Sequence, residues 1–210
     1  RGLTDSLKPD FVLVGETLHG DYNQWMNDRA CHSVTNYECY KGLYSSFNTG
    51  NMHEIAYSLN RQYGSEPWCL YTGKQLFSFV DNHDVTRAAT IMTDPRELAP
   101  LYGLLFGMPG VPAVYYGSEW GMAGDKKNGD PALRPAVEKP EENELTAWIA
   151  ALAKARQGSL CGQIITRHAG TSARQQWNVG LQLRRLLLFP TGLQGRCRPA
   201  VASQMAQPQG

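Results

Sequence analysis

Residues Phe77–Asp84 read FSFVDNHD. An apolar, aromatic-rich half is followed by four polar residues, which predicts a strand over Leu76–Val80 with Asp81, Asn82, His83 and Asp84 just past its end. Three other segments read the same way. Phe11–Gly15 (FVLVG) is a continuous apolar run, as expected of a strand buried on both faces. Val34–Cys39 is a weaker strand candidate, and Pro112–Tyr116 (PAVYY) is a fourth.

Helical patterns separate these runs. Asn51 opens one, with Glu54 three residues on as a capping box; Met52, Ile55, Ala56 and Leu59 recur at helical spacing until Gly64. Asp94 caps a second, with Pro95 at its first position and an apolar face of Leu98, Leu101, Tyr102 and Leu105. Leu145, Trp148, Ile149 and Leu152 mark the last. Strands alternating with helices predict a parallel sheet with crossover helices. Four such units make an open sheet or half of a closed barrel, since a full (β/α)₈ barrel takes about 250 residues.

Composition excludes several classes. The chain of 210 residues has a net charge of +1, which points to neither a nucleic-acid nor a membrane partner. The longest apolar stretch, Leu101–Tyr116, is interrupted by Gly103, Gly107, Pro109, Gly110 and Pro112; it predicts a helix end, a turn and a buried strand rather than a membrane span. Five scattered cysteines lack zinc-ligand spacing and favour a reducing, cytoplasmic compartment. The chain opens on Arg1 without Met, and reads as a piece of a longer protein.

The end of the chain differs. All 19 acidic residues lie at or before Glu144. Lys154 is the last lysine, and arginine supplies every later charge apart from His168. Residues 1–158 therefore read as one domain and 159–210 as an atypical, acid-free tail. The tail reads as a disordered basic arm, as a compact subdomain of odd composition, or as the product of a reading-frame change near Gly158. The abrupt shift in composition favours the last.

Glu16 follows FVLVG directly, and Asp84 closes FSFVDNHD. Both carboxylates are thus expected at carboxyl ends of parallel strands, the edge where α/β sheets and barrels build their sites. Either alone more often caps a helix than reacts. Two on one edge, with His83 beside them, make a pattern suited to acid–base chemistry.

The segment FVDNHD (Phe79–Asp84) resembles the strand-seven motif of the α-amylase superfamily, glycoside hydrolase family 13. GETLHG (Gly15–Gly20) is similar to its strand-five motif, in which a Gly-Glu pair carries the acid. GVPAVYYGSEWGM (Gly110–Met122) resembles its strand-eight segment, and DPALRP (Asp130–Pro135) the Asp-x-x-x-Arg stretch of the neopullulanase and cyclomaltodextrinase branch. The resemblance covers roughly Lys8 to Arg156.

It implies strands five to eight of a (β/α)₈ TIM barrel, from an enzyme that cleaves α-glucosidic bonds of starch, maltodextrin or related oligosaccharides with retention. Glu16 would be the general acid/base and Asp84 the carboxylate that holds sugar hydroxyls and stabilises the oxocarbenium-like transition state. His83 would hydrogen-bond the same glucose, Asp130 and Arg134 would hold it on the nonreducing side, and His19 would flank the leaving group. Tyr116, with Tyr115 and Trp120, would offer stacking surfaces, although aromatics in such a strand are more often core. Asp81 and Asn82 are expected to shape the strand end.

Two departures limit the expectation. Leu18 stands where the family often has Trp. The nucleophile, an Asp in a Gly-x-Arg-x-Asp pattern, has no match, so the chain alone is expected to be inactive. No cofactor and no metal are expected; calcium, which some members bind, would sit mainly outside this stretch. Exposed sheet edges would invite self-association. The alternatives are a noncatalytic carbohydrate-binding or scaffold relative, and a truncated product without activity.

Overall fold

A computed structural model describes residues 1–158; the expectations about 159–210 lie outside the described residues. Helix α1 (Gly2–Leu7) leads into strand β1 (Val14–Gly15), a 3₁₀ turn at Tyr22–Gln24, and strand β2 (Ser33–Val34). Two helices follow, α2 (Tyr37–Thr49) and α3 (His53–Tyr63), before strand β3 (Phe77–Phe79). A short α4 (Ala88–Ile91) and a 3₁₀ turn at Pro95–Glu97 precede α5 (Leu98–Gly107) and strand β4 (Val111–Ala113). The short α6 (Asp130–Leu133) and the long α7 (Glu144–Gly158) complete the order.

The strands are parallel. β1 pairs with β2 in the register Val14 to Ser33, and β3 with β4 in the register Phe77 to Val111. A parallel bridge between Thr35 and Phe77 joins the two pairs, reinforced by the Asn36 N–H donating to the Phe77 carbonyl at 2.8 Å. The parallel α/β architecture read from the sequence is therefore present, but β1 and β2 are linked through a 3₁₀ turn and not through the crossover helix that strict alternation expects.

Three local expectations change. Residues 34–39 do not stay extended. Asn36 turns the chain, its side chain accepts from the Cys39 N–H at 3.3 Å, and α2 begins at Tyr37. The FVLVG run is not buried on both faces: Phe11, Val12 and Val14 are exposed, Val12 by 65 %, and among the described residues β1 has only β2 beside it. Glu54 does not close a capping box. Its carboxylate faces α2 instead, accepting from Ser45 Oγ at 2.6 Å and pairing with Lys41 at 3.0 Å, while Asn51 Oδ1 accepts from the His53 N–H.

One core cluster joins Leu43 of α2, Ile55 of α3, Val80 after β3, Leu101, Tyr102 and Leu105 of α5, and Ile149 of α7. Fully burying one such side chain contributes about 1.5–3 kcal/mol. Gly42 lets α2 approach α3, since a Cβ there would lie 3.3 Å from Ile55 Cα. Trp148 Nε1 of α7 donates to the Ala99 carbonyl of α5 at 2.9 Å, and Arg156 donates to the Met108 carbonyl at 3.1 Å. A second cluster, Tyr22, Met26, Val34, Tyr63, Tyr71 and Leu76, packs beneath the β2–β3 side.

Among the described residues no helix is long and apolar enough to cross a membrane. The stretch Leu101–Tyr116 contains the predicted helix end, turn and strand, with the strand ending at Ala113. The polypeptide then turns through Gly117, which has φ +84°, and carries Tyr115 and Tyr116 out of the sheet. Cys31, Cys39 and Cys69 are free thiols.

Candidate active site

The carboxyl ends of β1, β2 and β3 converge. Glu16 leaves β1, and the next residue is tied to the end of β2: the Thr17 N–H donates to Thr35 Oγ1 at 2.9 Å, and that hydroxyl donates to the Thr17 carbonyl at 3.3 Å. Tyr37, the first residue of α2, donates its phenol hydrogen to Glu16 Oε1 at 3.2 Å. Asn82 Nδ2, past the end of β3, donates to the same phenol oxygen at 2.7 Å. The Asn82 amide oxygen accepts from the Asp84 N–H at 2.8 Å, which fixes the turn carrying Asp84.

His83 Nε2 lies 3.2 Å from Asp84 Oδ2 and 3.9 Å from Glu16 Oε1. Arg134, just after α6, donates from a terminal nitrogen to Asp84 Oδ1 at 2.6 Å and from Nε to the His83 carbonyl at 3.1 Å. Side chains of Glu16, His83 and Asp84 remain 47 %, 42 % and 40 % exposed. A ligand can therefore reach them, and an ion pair this exposed is worth about 1 kcal/mol or less.

A layer below is buried. Asp81 accepts from the Ala88 N–H at 2.7 Å and from Ser118 Oγ at 2.8 Å. Burial pushes its carboxyl above the ordinary range, partly opposed by the Ala88 hydrogen bond. Arg87 donates to Ser118 Oγ at 3.1 Å, and to the carbonyls of Tyr116 and Leu133 at 2.7 Å each. Its guanidinium lies over the rings of Tyr115, at 4.1 Å, and Tyr116, at 5.1 Å. This pins the segment after β4, and with it α6 and Arg134, against the end of β3.

A cavity of about 270 Å³ opens between these strand ends, lined in part by Val14, Glu16, Phe79, Asn82, His83 and Tyr115. That is near the lower end of ligand pockets, about 300–1,000 Å³. Glu16, His83 and Asp84 could each offer one ligand atom to a cation, within 4.8 Å of one another. The Arg134 charge already beside Asp84 works against a divalent ion there.

The structure brings together Glu16, His83, Asp84 and Arg134 among the residues expected from sequence. Asp130 stands at the rim, 2.6 Å from Lys126 and 3.7 Å from Arg134, and the Lys126 cation holds its carboxyl below the ordinary range. Tyr116 donates its hydroxyl to the Pro135 carbonyl at 2.9 Å, with its ring beside Arg87. His19 is exposed on the loop after Glu16, outside the Glu16–His83–Asp84 cluster. Sequence reading missed Tyr37 and Arg87. Asn36 before Tyr37 was an available helix-cap signal; Arg87 gave none, since its acceptors come from distant segments.

A parallel α/β sheet gathers two carboxylates, an imidazole and a guanidinium at its strand carboxyl ends, the edge where proteins of this class place their sites. The chain belongs to the alpha-amylase catalytic-domain family, whose profile matches residues 1–177. That span runs past both ends of the Lys8–Arg156 stretch in which motifs are visible by eye.

Neopullulanase 2 of Thermoactinomyces vulgaris is 32 % identical over 147 residues, covering 68 % of this chain and 24 % of the relative. The intracellular maltogenic amylase of Bacillus subtilis is 26 % identical over 149 residues, covering 69 % and 24 %. The chain thus spans about a quarter of these relatives' length. Among solved structures, the cyclic α-maltosyl-(1→6)-maltose hydrolase of Arthrobacter globiformis, in complex with maltose, superposes with a TM-score of 0.64 at 24 % identity, covering 76 % of this chain and 36 % of that one. A cyclomaltodextrinase gives the same TM-score at 22 % identity, covering 76 % and 27 %.

Proposed function

We propose that this chain supplies the acid/base and sugar-holding side of a retaining α-glucosidic active site, from barrel strands five to eight, and that the nucleophile is not among its described residues. The observation that carries the reading is the meeting of Glu16, His83 and Asp84 at the strand ends, with Arg134 clamped on Asp84. The neopullulanase-type relatives support an α-glucan substrate.

In this reading Glu16 donates its proton to the departing glycosidic oxygen and then takes one from water. Its half-exposed carboxyl lines the cavity, with Oε1 accepting from the Tyr37 phenol. Asp84 serves as the holder. Both of its oxygens already face cations or donors, Arg134 and His83, which leaves no free oxygen aimed for attack on a sugar carbon. The negative charge so fixed stabilises a positive, oxocarbenium-like transition state. Asp130 tethers Arg134 from the rim, Tyr116 would offer a stacking surface for a sugar ring, and His19 would flank the leaving group.

The test is calorimetric binding of maltotriose, with Asp84→Asn expected to weaken it at least about tenfold through loss of the charged partner for Arg134 and sugar hydroxyls. No reducing sugar is expected from maltodextrin. Measurable release by the purified chain would overturn the half-site assignment, and absence of any maltotriose binding would overturn the α-glucan reading.

A further inference from the structure

We propose that Tyr37 is a positioning residue for Glu16, held in its task by Asn82; the inference rests on the α-glucan reading above for its purpose, though not for its geometry. A phenol has one hydrogen to give and can accept as well. Asn82 Nδ2 donates to the phenol oxygen at 2.7 Å, so the single phenol hydrogen is left to point at Glu16 Oε1, 3.2 Å away. Asn82 has no freedom to reverse this polarity, because its amide oxygen is occupied by the Asp84 N–H at 2.8 Å. The direction of every hydrogen bond from Asp84 through Asn82 and Tyr37 to Glu16 is therefore fixed.

The mount is rigid. Tyr37 is the first residue of α2, and its ring meets Phe79 edge-on at a centroid distance of 4.9 Å. The preceding Asn36 is fully buried and bonded to Gln62 Oε1 at 2.9 Å and Ser78 Oγ at 3.0 Å. Glu16, by contrast, sits on the outermost strand of the row with a half-exposed side chain. Without the phenol its carboxyl would rotate freely. With it, Oε1 is pinned and Oε2 is the oxygen presented to a ligand in the cavity. Burial is the main cause that raises the Tyr37 phenol above its ordinary value; the Asn82 hydrogen bond lowers it, and the charge and hydrogen bond of Glu16 raise it further, with a smaller contribution from Asp84.

Two measurements test this. In the chain labelled with ¹³C at tyrosine Cζ, the Tyr37 resonance is assigned by its loss in Tyr37→Phe. Its titration midpoint is expected to fall in Glu16→Gln, which removes the facing charge, and to rise in Asn82→Ala. A midpoint unchanged in Glu16→Gln overturns the proposal. The second measurement compares a maltooligosaccharide with the analogue in which a secondary amine replaces one glycosidic oxygen; the protonated amine needs an oriented Glu16 carboxylate. Tyr37→Phe is expected to weaken the amine analogue about tenfold and leave the parent sugar within about twofold. Equal loss for both marks a merely structural role and overturns it. If the unsubstituted chain binds neither sugar, the α-glucan reading fails, and the titration alone decides whether the phenol holds Glu16.

Discussion

Burying a guanidinium is costly unless its donors are met, and Arg87 is 0 % exposed. Three segments answer its terminal nitrogens, Asp81 through Ser118, and the carbonyls of Tyr116 and Leu133, while Nε is left without a hydrogen-bond partner. Replacing it with Met keeps volume but leaves the buried Leu133 carbonyl and the part-buried Tyr116 carbonyl without their donor, and removes the cation near Asp81. Each unmet buried group costs about 1–3 kcal/mol, so R87M should destabilise the fold by at least about 3 kcal/mol, read as a shift of the urea midpoint. Asp81 adds a pH signature. Burial raises its carboxyl, so the folded state holds that proton more tightly than the unfolded one. The stability this contributes is complete below the ordinary aspartate value of about 3.9 and is lost as pH rises through the higher folded value. Asp81→Asn should flatten the stability–pH curve across that window, and a curve identical to the parent's would contradict the assignment. His83 and Asp84 were legible in sequence because they sit together in one short motif. Arg87 was not, because VTR reads as an ordinary loop charge and its burial exists only once residues 116–133 fold over it.

At the scale of elements, legibility followed the length of each apolar repeat. α5 and α7 have several turns of periodic apolar residues and were found. α2 was missed because Val34 and the aromatic residues after it look strand-like, while the features that make a helix of them are a single Asn36 cap and burial of Cys39 and Leu43 against other elements. That burial gives Cys39 a measurable property. Desolvation pushes its thiol up to about 12, so at mildly alkaline pH it should alkylate far more slowly than Cys31 and Cys69, which are only partly covered; peptide-resolved mass spectrometry after iodoacetamide treatment checks this. β4 depends on a glycine. Gly110 has φ +96°, and a Cβ there would sit 2.4 Å from the Leu76 carbonyl oxygen that also accepts from the Val111 N–H. Gly110→Ala should cost at least about 2 kcal/mol through backbone strain and lost β3–β4 pairing, seen as a lower thermal midpoint.

At the scale of the whole molecule, the row that the two strand pairs form among the described residues ends on β1 at one side and β4 at the other, with Val14 and Val111 both exposed. Such edges favour pairing between copies. Sedimentation should show self-association that weakens when Val12 and Val14 are both replaced by Lys; a monodisperse parent with a sharp unfolding transition would contradict it.

The hydrogen bonds that assemble the site link residues far apart along the chain: 21 positions from Glu16 to Tyr37, 45 from Tyr37 to Asn82, and 50 from Asp84 to Arg134. None can form until the strands between have docked, because each closes a long loop whose entropy must be offset by the sheet and its helices. Refolding should therefore recover helical signal early and, on the proposed α-glucan reading, maltotriose binding late. A newly made chain of this kind would pass through a stage that is largely structured while the Glu16–His83–Asp84 cluster is still unassembled.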